Sequence, residues 1–289
     1  MPTDRPAPRR AAILGSPVGH SLSPVLHGAA YTALGLAHWT YDRVEVGADA
    51  LPSLVAGLGP EWAGLSVTMP GKRAALEFAG TATPRALAVG AANTLVRQDD
   101  GGWHADCTDV DGVLGALRHA GGYVPAPGDV GVVLGAGGTA AAAVAAYAAL
   151  GLDGVRLVVR EPARAAETVR AADRAGLGVE VLRWSEVDFH ALARDSAVLV
   201  STVPPAAVQP HLDTLATVRA LLDVIYHPWP TPLAEVVAAR GGALATGLDM
   251  LLHQAFGQVA QFTGRAAPRA AMRDALRTAT GGIRTLPID

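Results

Sequence analysis

The sequence predicts an α/β protein of two domains, and three observations carry that reading. The chain has 289 residues, more than one ordinary core holds. From Ala11 onward, short apolar runs alternate with longer stretches that suit helices. Val130–Leu134 runs into Gly135-Ala136-Gly137-Gly138 and then into an alanine-rich stretch. That order reads as a buried strand, a tight turn and a buried helix.

Taken in order, Ala11–Gly15 is a short apolar run ending in glycine and reads as a buried strand. Ser23-Pro24 opens a helix, with Ser23 as the cap and Pro24 in the first turn, and Gly35 closes it. Trp39–Val46 is a second strand and Ala50–Leu58 a helix. Leu65–Thr68 is a third strand, stopped by Pro70-Gly71. Asn93–Arg97 and Trp103–Cys107 flank Asp99-Asp100-Gly101-Gly102 and form a hairpin. Val110–His119 is a helix stopped by Gly121-Gly122, and Pro125-Ala126-Pro127-Gly128 is the clearest linker signal. After the glycine-rich turn, the alanine helix ends near Gly151. Arg156–Arg160, Ala197–Ser201 and Leu221–Ile225 are further buried strands, with helical stretches between them. Leu248–Phe262 and Arg269–Thr278 are two final helices. No internal repeat is visible.

Composition narrows the function. Half the residues are apolar and 17% are charged, so a large core can be buried. The net charge is -3 with no block of like charges, which argues against nucleic acid and anionic membrane as partners. One cysteine, Cys107, rules out a disulfide framework within the chain and fits a reducing, cytoplasmic setting. Nine histidines without ligand-like spacing make a metal site unexpected. Met1–Arg10, rich in proline and arginine, is expected to be a frayed tail. Val130–Leu152 carries no charge and could span a bilayer by length alone. Four glycines in its first half favour strand, turn and helix instead.

The turn itself points to chemistry. Gly135-x-Gly137-x-x-Ala140 follows a strand and opens a helix, the context a dinucleotide fingerprint needs. Gly135 makes the tight turn, Gly137 lets backbone approach a pyrophosphate, and Ala140 lets helix pack on strand. Ala136, Gly138 and Thr139 complete the loop, and the phosphates would meet free helix amides. About twenty residues on, the next strand ends in Val159-Arg160-Glu161. An acid there suits the ribose 2′-hydroxyl of NAD, whereas Arg160 and Arg164 suit the 2′-phosphate of NADP. NADP is the favoured cofactor and NAD the alternative. Glu161 reads as solvated surface.

Polar motifs lie outside this segment. Gly15–Pro24 puts hydroxyls between a strand end and a helix start, a place that suits a carboxylate. Val67-Thr68-Met69-Pro70-Gly71-Lys72 sets a threonine and a lysine after a strand. Ala91-Ala92-Asn93-Thr94 and Thr108-Asp109-Val110-Asp111-Gly112 add an amide and carboxylates at strand ends, where open α/β sheets bind ligands. Each motif taken alone is better explained by capping, a solvated lysine or loop turn chemistry.

Together they resemble the shikimate dehydrogenase family over nearly the whole chain. The resemblance rests on GSPVGHSLSPVLH (Gly15–His27), VTMPGK (Val67–Lys72), GAANT (Gly90–Thr94), TDVDG (Thr108–Gly112), GAGG (Gly135–Gly138), DVIYHPWPTPL (Asp223–Leu233) and GLDMLLHQ (Gly247–Gln254), in the family's order. It implies that Ser21 and Ser23 bind a substrate carboxylate, with Tyr226 nearby. It implies that Thr68, Asn93 and Gln254 hold ring hydroxyls, and that Lys72 and Asp109 flank the hydroxyl that becomes a ketone. Val224 and Gly247 would lie near the nicotinamide. The implied domains are 1–112, binding substrate and rejoined by 247–289, and 113–246, a Rossmann-like dinucleotide domain. The implied activity is reversible NADPH-dependent reduction of 3-dehydroshikimate to shikimate by a monomer or homodimer. Departures from the family's usual residues fall at Ser66, Cys107, Ala141, Val159-Arg160-Glu161 and Val200-Ser201-Thr202. Ser66 and Glu161 keep open an NAD-dependent quinate/shikimate dehydrogenase or a relative acting on an aminated analogue. A non-catalytic metabolite- or dinucleotide-sensing module is the remaining rival. Retention of both Lys72 and Asp109 argues against it, since sensing needs neither for chemistry.

Overall fold

The computed structural model describes residues 7–289. Twelve strands and thirteen α-helices occur among them. In the first stretch these are β1 (Arg9–Gly15), α1 (Ser23–Ala33), β2 (Trp39–Glu45), α2 (Leu51–Ala56), β3 (Trp62–Val67), α3 (Lys72–Phe78), β4 (Thr81–Ala82), α4 (Pro84–Val89), β5 (Thr94–Arg97), β6 (Trp103–Asp106) and α5 (Asp109–Gly115). Next come β7 (Val130–Leu134), α6 (Gly138–Leu150), β8 (Gly154–Val159), α7 (Ala166–Ala175), β9 (Gly178–Arg183), α8 (Phe189–Arg194) and β10 (Val198–Ser201). The chain ends with α9 (Pro205–Val208), α10 (Leu212–Leu215), β11 (Ala220–Asp223), α11 (Pro232–Ala239), β12 (Leu244–Thr246), α12 (Gly247–Thr263) and α13 (Arg269–Ala279).

The chain divides into two compact units. One comprises the described residues up to Leu87, Ala91–Thr108 and Ala255–Thr285; the other comprises Ala88–Gly90, Asp109–Gln254 and Leu286–Asp289. The first holds a six-stranded mixed sheet in the order β2-β1-β3-β5-β6-β4, and α13 packs on α1. The second holds an all-parallel sheet in the order β12-β11-β10-β7-β8-β9. Parallel strands buried on both faces require continuous apolar runs, and Gly131–Leu134 and Val198–Ser201 are buried throughout. Helix α6 is alanine-rich because its buried face must lie close to the sheet. Tyr147 on it reaches across and donates to the Val132 carbonyl at 2.9 Å.

Four expectations change. Arg9 and Arg10 belong to β1, where Arg10 pairs Asp42 and covers the Trp62 ring, so only Met1–Pro6 of the expected tail fall outside the described residues. Ser23 does not cap α1; it is the first helical residue, and its amide instead donates to Ser21 Oγ at 3.3 Å. The helical stretch expected between Arg160 and Ala197 contains β9, an edge strand whose Val179 and Val181 alternate with Glu180 and Leu182. The Pro125–Gly128 segment lies within the second unit. Its following residue, Asp129, accepts bonds from Tyr123 Oη and the Ala126 amide. No helix among the described residues is long and apolar enough to cross a membrane, and Val130–Leu152 resolves into β7, a turn and α6.

One buried ion pair ties the first unit together. Asp106, at the end of β6 and 2% exposed, receives Arg85 Nε at 2.6 Å and also Arg85 Nη2, Thr83 Oγ1 and Gln261 Nε2. Burial alone would raise the Asp106 pKa. The bonds from Arg85, Thr83 and Gln261 outweigh it and hold the carboxyl below its ordinary value. Arg85→Ala strands a buried carboxylate and is expected to cost about 3 kcal/mol, the low end for such pairs because the Arg85 side chain is 33% exposed. A folded-state pKa below the unfolded one stabilises above the unfolded value and loses that contribution as pH falls through the folded one. Resistance of the native protein to thermal unfolding should therefore weaken steadily below about pH 4, and the Arg85→Ala protein should show less of that acid dependence.

Candidate active site

In the first unit the strand ends converge on one edge of the sheet. Because β1 and β3 run parallel, Gly15–Ser23 and Thr68–Lys72 leave from the same edge. Strand β5 runs antiparallel to β3, with Ser66 opposite Thr94, so Asn93 enters from that edge. Strand β6 runs back, with Thr94 opposite Asp106, so Thr108 leaves from it too. Main-chain bonds fix the loops: Thr68 N–H to Leu14 O at 2.8 Å, Ser16 N–H to Met69 O at 3.0 Å, and Ala92 N–H to Lys72 O at 2.9 Å. Lys72 opens α3 and is half-buried.

The side chains at this edge are organised. Ser21 Oγ bonds Ser23 Oγ at 3.2 Å, and Arg43 donates to the Ser21 carbonyl from Nε at 3.0 Å. Asn93 is buried; its Oδ1 accepts from the Thr108 amide at 2.8 Å and from Thr94 Oγ1 at 2.9 Å. The sheet edge thus brings together Ser21, Ser23, Thr68, Lys72 and Asn93 from three separate segments. Asp109 follows Thr108 directly, is buried, and opens α5 as the start of the second unit. Gln254, on α12, is buried in the second unit against Gly112 and donates to the Leu251 carbonyl at 3.0 Å.

The second unit repeats the logic with parallel strands. Leu134, Val158, Ser201, Asp223 and Thr246 lie in register, so Gly135, Arg160, Thr202, Val224 and Gly247 all emerge at the carboxyl edge. Open α/β sheets bind ligands there. Gly135 has φ +103°, and a Cβ on it would lie 2.4 Å from Thr202 Oγ1. Only glycine fits that turn. Around Gly137, the residue before α6, a Cβ would meet nothing within 4 Å, and Gly137 and Gly138 are exposed. That open space in front of a helix N-terminus fits a pyrophosphate, with Ala136 and Thr139 alongside. Arg160 and Arg164 are exposed and form no ion pair among the described residues. Glu161 is drawn to Arg183 Nη1 on β9 at 3.8 Å.

The loop after β11 is pinned at both ends. Thr231 Oγ1 donates to Asp223 Oδ2 at 2.6 Å and accepts from the Ala234 amide as the cap of α11. Asp223 is buried, and burial raises its pKa against the opposing bonds from Thr231 and Ile225. Within the loop, Tyr226 packs on Gly247, and burial raises its pKa as well.

Residues 13–95 match the family of the shikimate dehydrogenase substrate binding domain, and residues 247–277 match that of the shikimate 5'-dehydrogenase C-terminal domain. An NADP(+) shikimate dehydrogenase of Synechococcus sp. is 35% identical over 92% of this chain and 92% of its own. The chain belongs to the shikimate dehydrogenase family. A solved shikimate dehydrogenase of Mycobacterium tuberculosis is 50% identical, with TM-score 0.87 over 94% of this chain and all of the other. A Thermus thermophilus shikimate 5-dehydrogenase, solved with NADP(H) and shikimate, is 32% identical with TM-score 0.79, covering 94% of this chain and 99% of its own. The two-domain α/β fold expected of the family is therefore the fold of this chain.

Sequence reasoning assigned no structural role to Tyr41, Gln258 or His27, and read Ser66 only as a departure from the family's usual residue. Tyr41 donates to Ser66 Oγ at 2.7 Å, Ser66 donates to Gln258 Oε1 at 2.8 Å, and His27 stacks on Tyr41 with centroids 4.0 Å apart. Gln258 follows Gln254 by one helical turn, and a glutamine in the apolar run Ala255–Ala260 was the available signal.

Proposed function

We propose that the chain catalyses the reversible, NADPH-dependent reduction of 3-dehydroshikimate to shikimate. Family membership carries the reading: a relative of the stated name aligns over 92% of both chains, and Ser21, Ser23, Thr68, Lys72, Asn93, Asp109 and Gln254, to which the resemblance assigns substrate roles, are all present. The nicotinamide, when bound, supplies the hydride. The residues of the chain do the rest. Ser21 and Ser23 hold the substrate carboxylate, and Thr68, Asn93 and Gln254 hold ring hydroxyls. As hydride reaches the carbonyl carbon, the oxygen gains negative charge and needs a proton. The Lys72 ammonium stabilises that charge and delivers the proton. Asp109 accepts a hydrogen bond at the same hydroxyl and orients the ammonium. Tyr226 assists at the carboxylate, while Val224 and Gly247 border the nicotinamide.

For the cofactor, Gly135–Thr139 cradle the pyrophosphate, and Arg160, with Arg164, holds the 2′-phosphate. The Glu161–Arg183 pair supports this choice, because it draws the acid next to Arg160 away from a ribose-binding role. Arg160→Ala is expected to raise KM for NADP+ about tenfold or more while leaving KM for NAD+ nearly unchanged, since a guanidinium–phosphate contact is charge-assisted. Equal losses for both dinucleotides would remove the assignment. We place the enzyme in the cytoplasm, acting on a small molecule as a monomer or homodimer. Incubating the purified protein with 3-dehydroshikimate and NADPH, and following the carbon skeleton by NMR, should show shikimate; an unchanged spectrum contradicts the reading.

A further inference from the structure

Gln258 has one workable orientation. The Asn93 carbonyl, which can only accept, lies 3.1 Å from Nε2, so the NH2 group faces Asn93. The same nitrogen donates to Thr94 Oγ1 at 3.1 Å. Oε1 then accepts from Ser66 Oγ and, at 3.4 Å, from His27 Nε2. Ser66 has spent its proton on Gln258, so it accepts from Tyr41.

The consequence falls on Thr94. Its neighbour Gln258 is a donor, so the Thr94 proton turns the other way, to Asn93 Oδ1 at 2.9 Å. The Thr108 amide adds a second donor to that oxygen. With its oxygen engaged inward, Asn93 presents its NH2 edge, which donates to Thr108 Oγ1 at 3.0 Å. Gln258 also grips the Asn93 main chain, whose carbonyl accepts from Val67 N–H at 2.8 Å besides Gln258. The whole chain of bonds lies within the first unit.

We propose that Gln258 is a positioning residue for substrate: through Thr94 and the Asn93 carbonyl it fixes which edge of the Asn93 amide meets a ring hydroxyl. The inference rests on the reading above that Asn93 holds such a hydroxyl. It requires Gln258 to be a double donor, which separates it from a residue that only fills space.

The experiment compares Gln258→Leu, Gln258→Glu, Thr94→Val and Asn93→Ala by shikimate oxidation with NADP+. Gln258→Leu should raise KM for shikimate about tenfold, with KM for NADP+ within about twofold, as loss of a buried hydrogen-bond pair implies. Gln258→Glu adds a signature in pH. An ionised glutamate only accepts, draws the Thr94 proton to itself and releases Asn93; a protonated one can still donate. Its KM relative to the native enzyme should therefore climb from pH 6 to pH 9, whereas the ratio for Gln258→Leu stays flat. The groups facing this position do not interfere. Burial pushes the α1 residue His27 down to about 3, and raises Tyr31 on α1 and Tyr41 on β2 above their ordinary values. Asp106 on β6 stays ionised beside Arg85. If Gln258→Leu fails to fold, Thr94→Val, which keeps the shape, decides by its KM. Folded variants at positions 94 and 258 with native KM, beside an impaired Asn93→Ala, overturn this proposal alone. A native Asn93→Ala overturns the Asn93 reading and this proposal with it.

Discussion

Lys72→Ala is expected to lower kcat for shikimate oxidation by about 10²–10⁴, the range for a positioned acid–base group. In the proposed mechanism, the charge that Lys72 meets develops at the ketone oxygen only during hydride transfer. Its ammonium thus stabilises the transition state more than bound substrate, and KM should move comparatively little. Ser21→Ala should behave oppositely. A carboxylate is equally charged in ground and transition states, so removing an anchor raises KM with less change in kcat. The fold predicts that both variants remain folded. Ser21 lies in a surface turn, and Lys72 heads a short helix held by its own carbonyl through the Ala92 amide. Steady-state kinetics on both, with circular dichroism as the folding control, separates the roles. A folded Lys72→Ala enzyme with near-native kcat would sink the catalytic assignment.

Gly247→Ala should be nearly as damaging, although it removes no chemical group. A Cβ there would lie 2.1 Å from the Val224 carbonyl oxygen and 2.8 Å from Tyr226 Cδ1. The first is main chain and cannot swing aside, so the segment after β11 must move. That segment is clamped by the Asp223–Thr231 bond, which leaves displacement near Val224 and Tyr226 as the outlet. Misplacement of about 1 Å at a reacting group can cost about 10²-fold. We expect kcat/KM for NADP+ to fall by about that factor, with a loss of about 1–3 kcal/mol in stability from overpacking. Native kcat/KM in the variant would show that the loop does not border the nicotinamide.

Legibility in the sequence followed burial. The strand–turn–helix at Val130–Leu150 was readable because both strand faces are covered, which leaves an unbroken apolar run, and because Gly135 tolerates no other residue. Edge strand β9 was not, because its faces are half-exposed and its Val179/Val181 alternation is short. Helices α3 and α4 are too brief for a periodicity to register. At the site, motif residues on loops after strands could be named from the family resemblance. The Tyr41–Ser66–Gln258 relay could not: Ser66 and Gln258 are 192 positions apart, and each alone looks like an ordinary polar residue. Ser23 was misassigned as a cap because a serine before a proline fits that pattern. The turn from Val18 instead lets Ser21 accept the helix-start amide.

The account's central claim is that this chain oxidises shikimate with NADP+. The most direct test is the initial rate of reduced-nicotinamide absorbance on mixing purified protein with shikimate and either NADP+ or NAD+. The account predicts turnover with NADP+ and a kcat/KM at least about tenfold higher than with NAD+, the difference that a single phosphate–guanidinium contact supports. No reduction with either dinucleotide, or an enzyme that prefers NAD+, would contradict it.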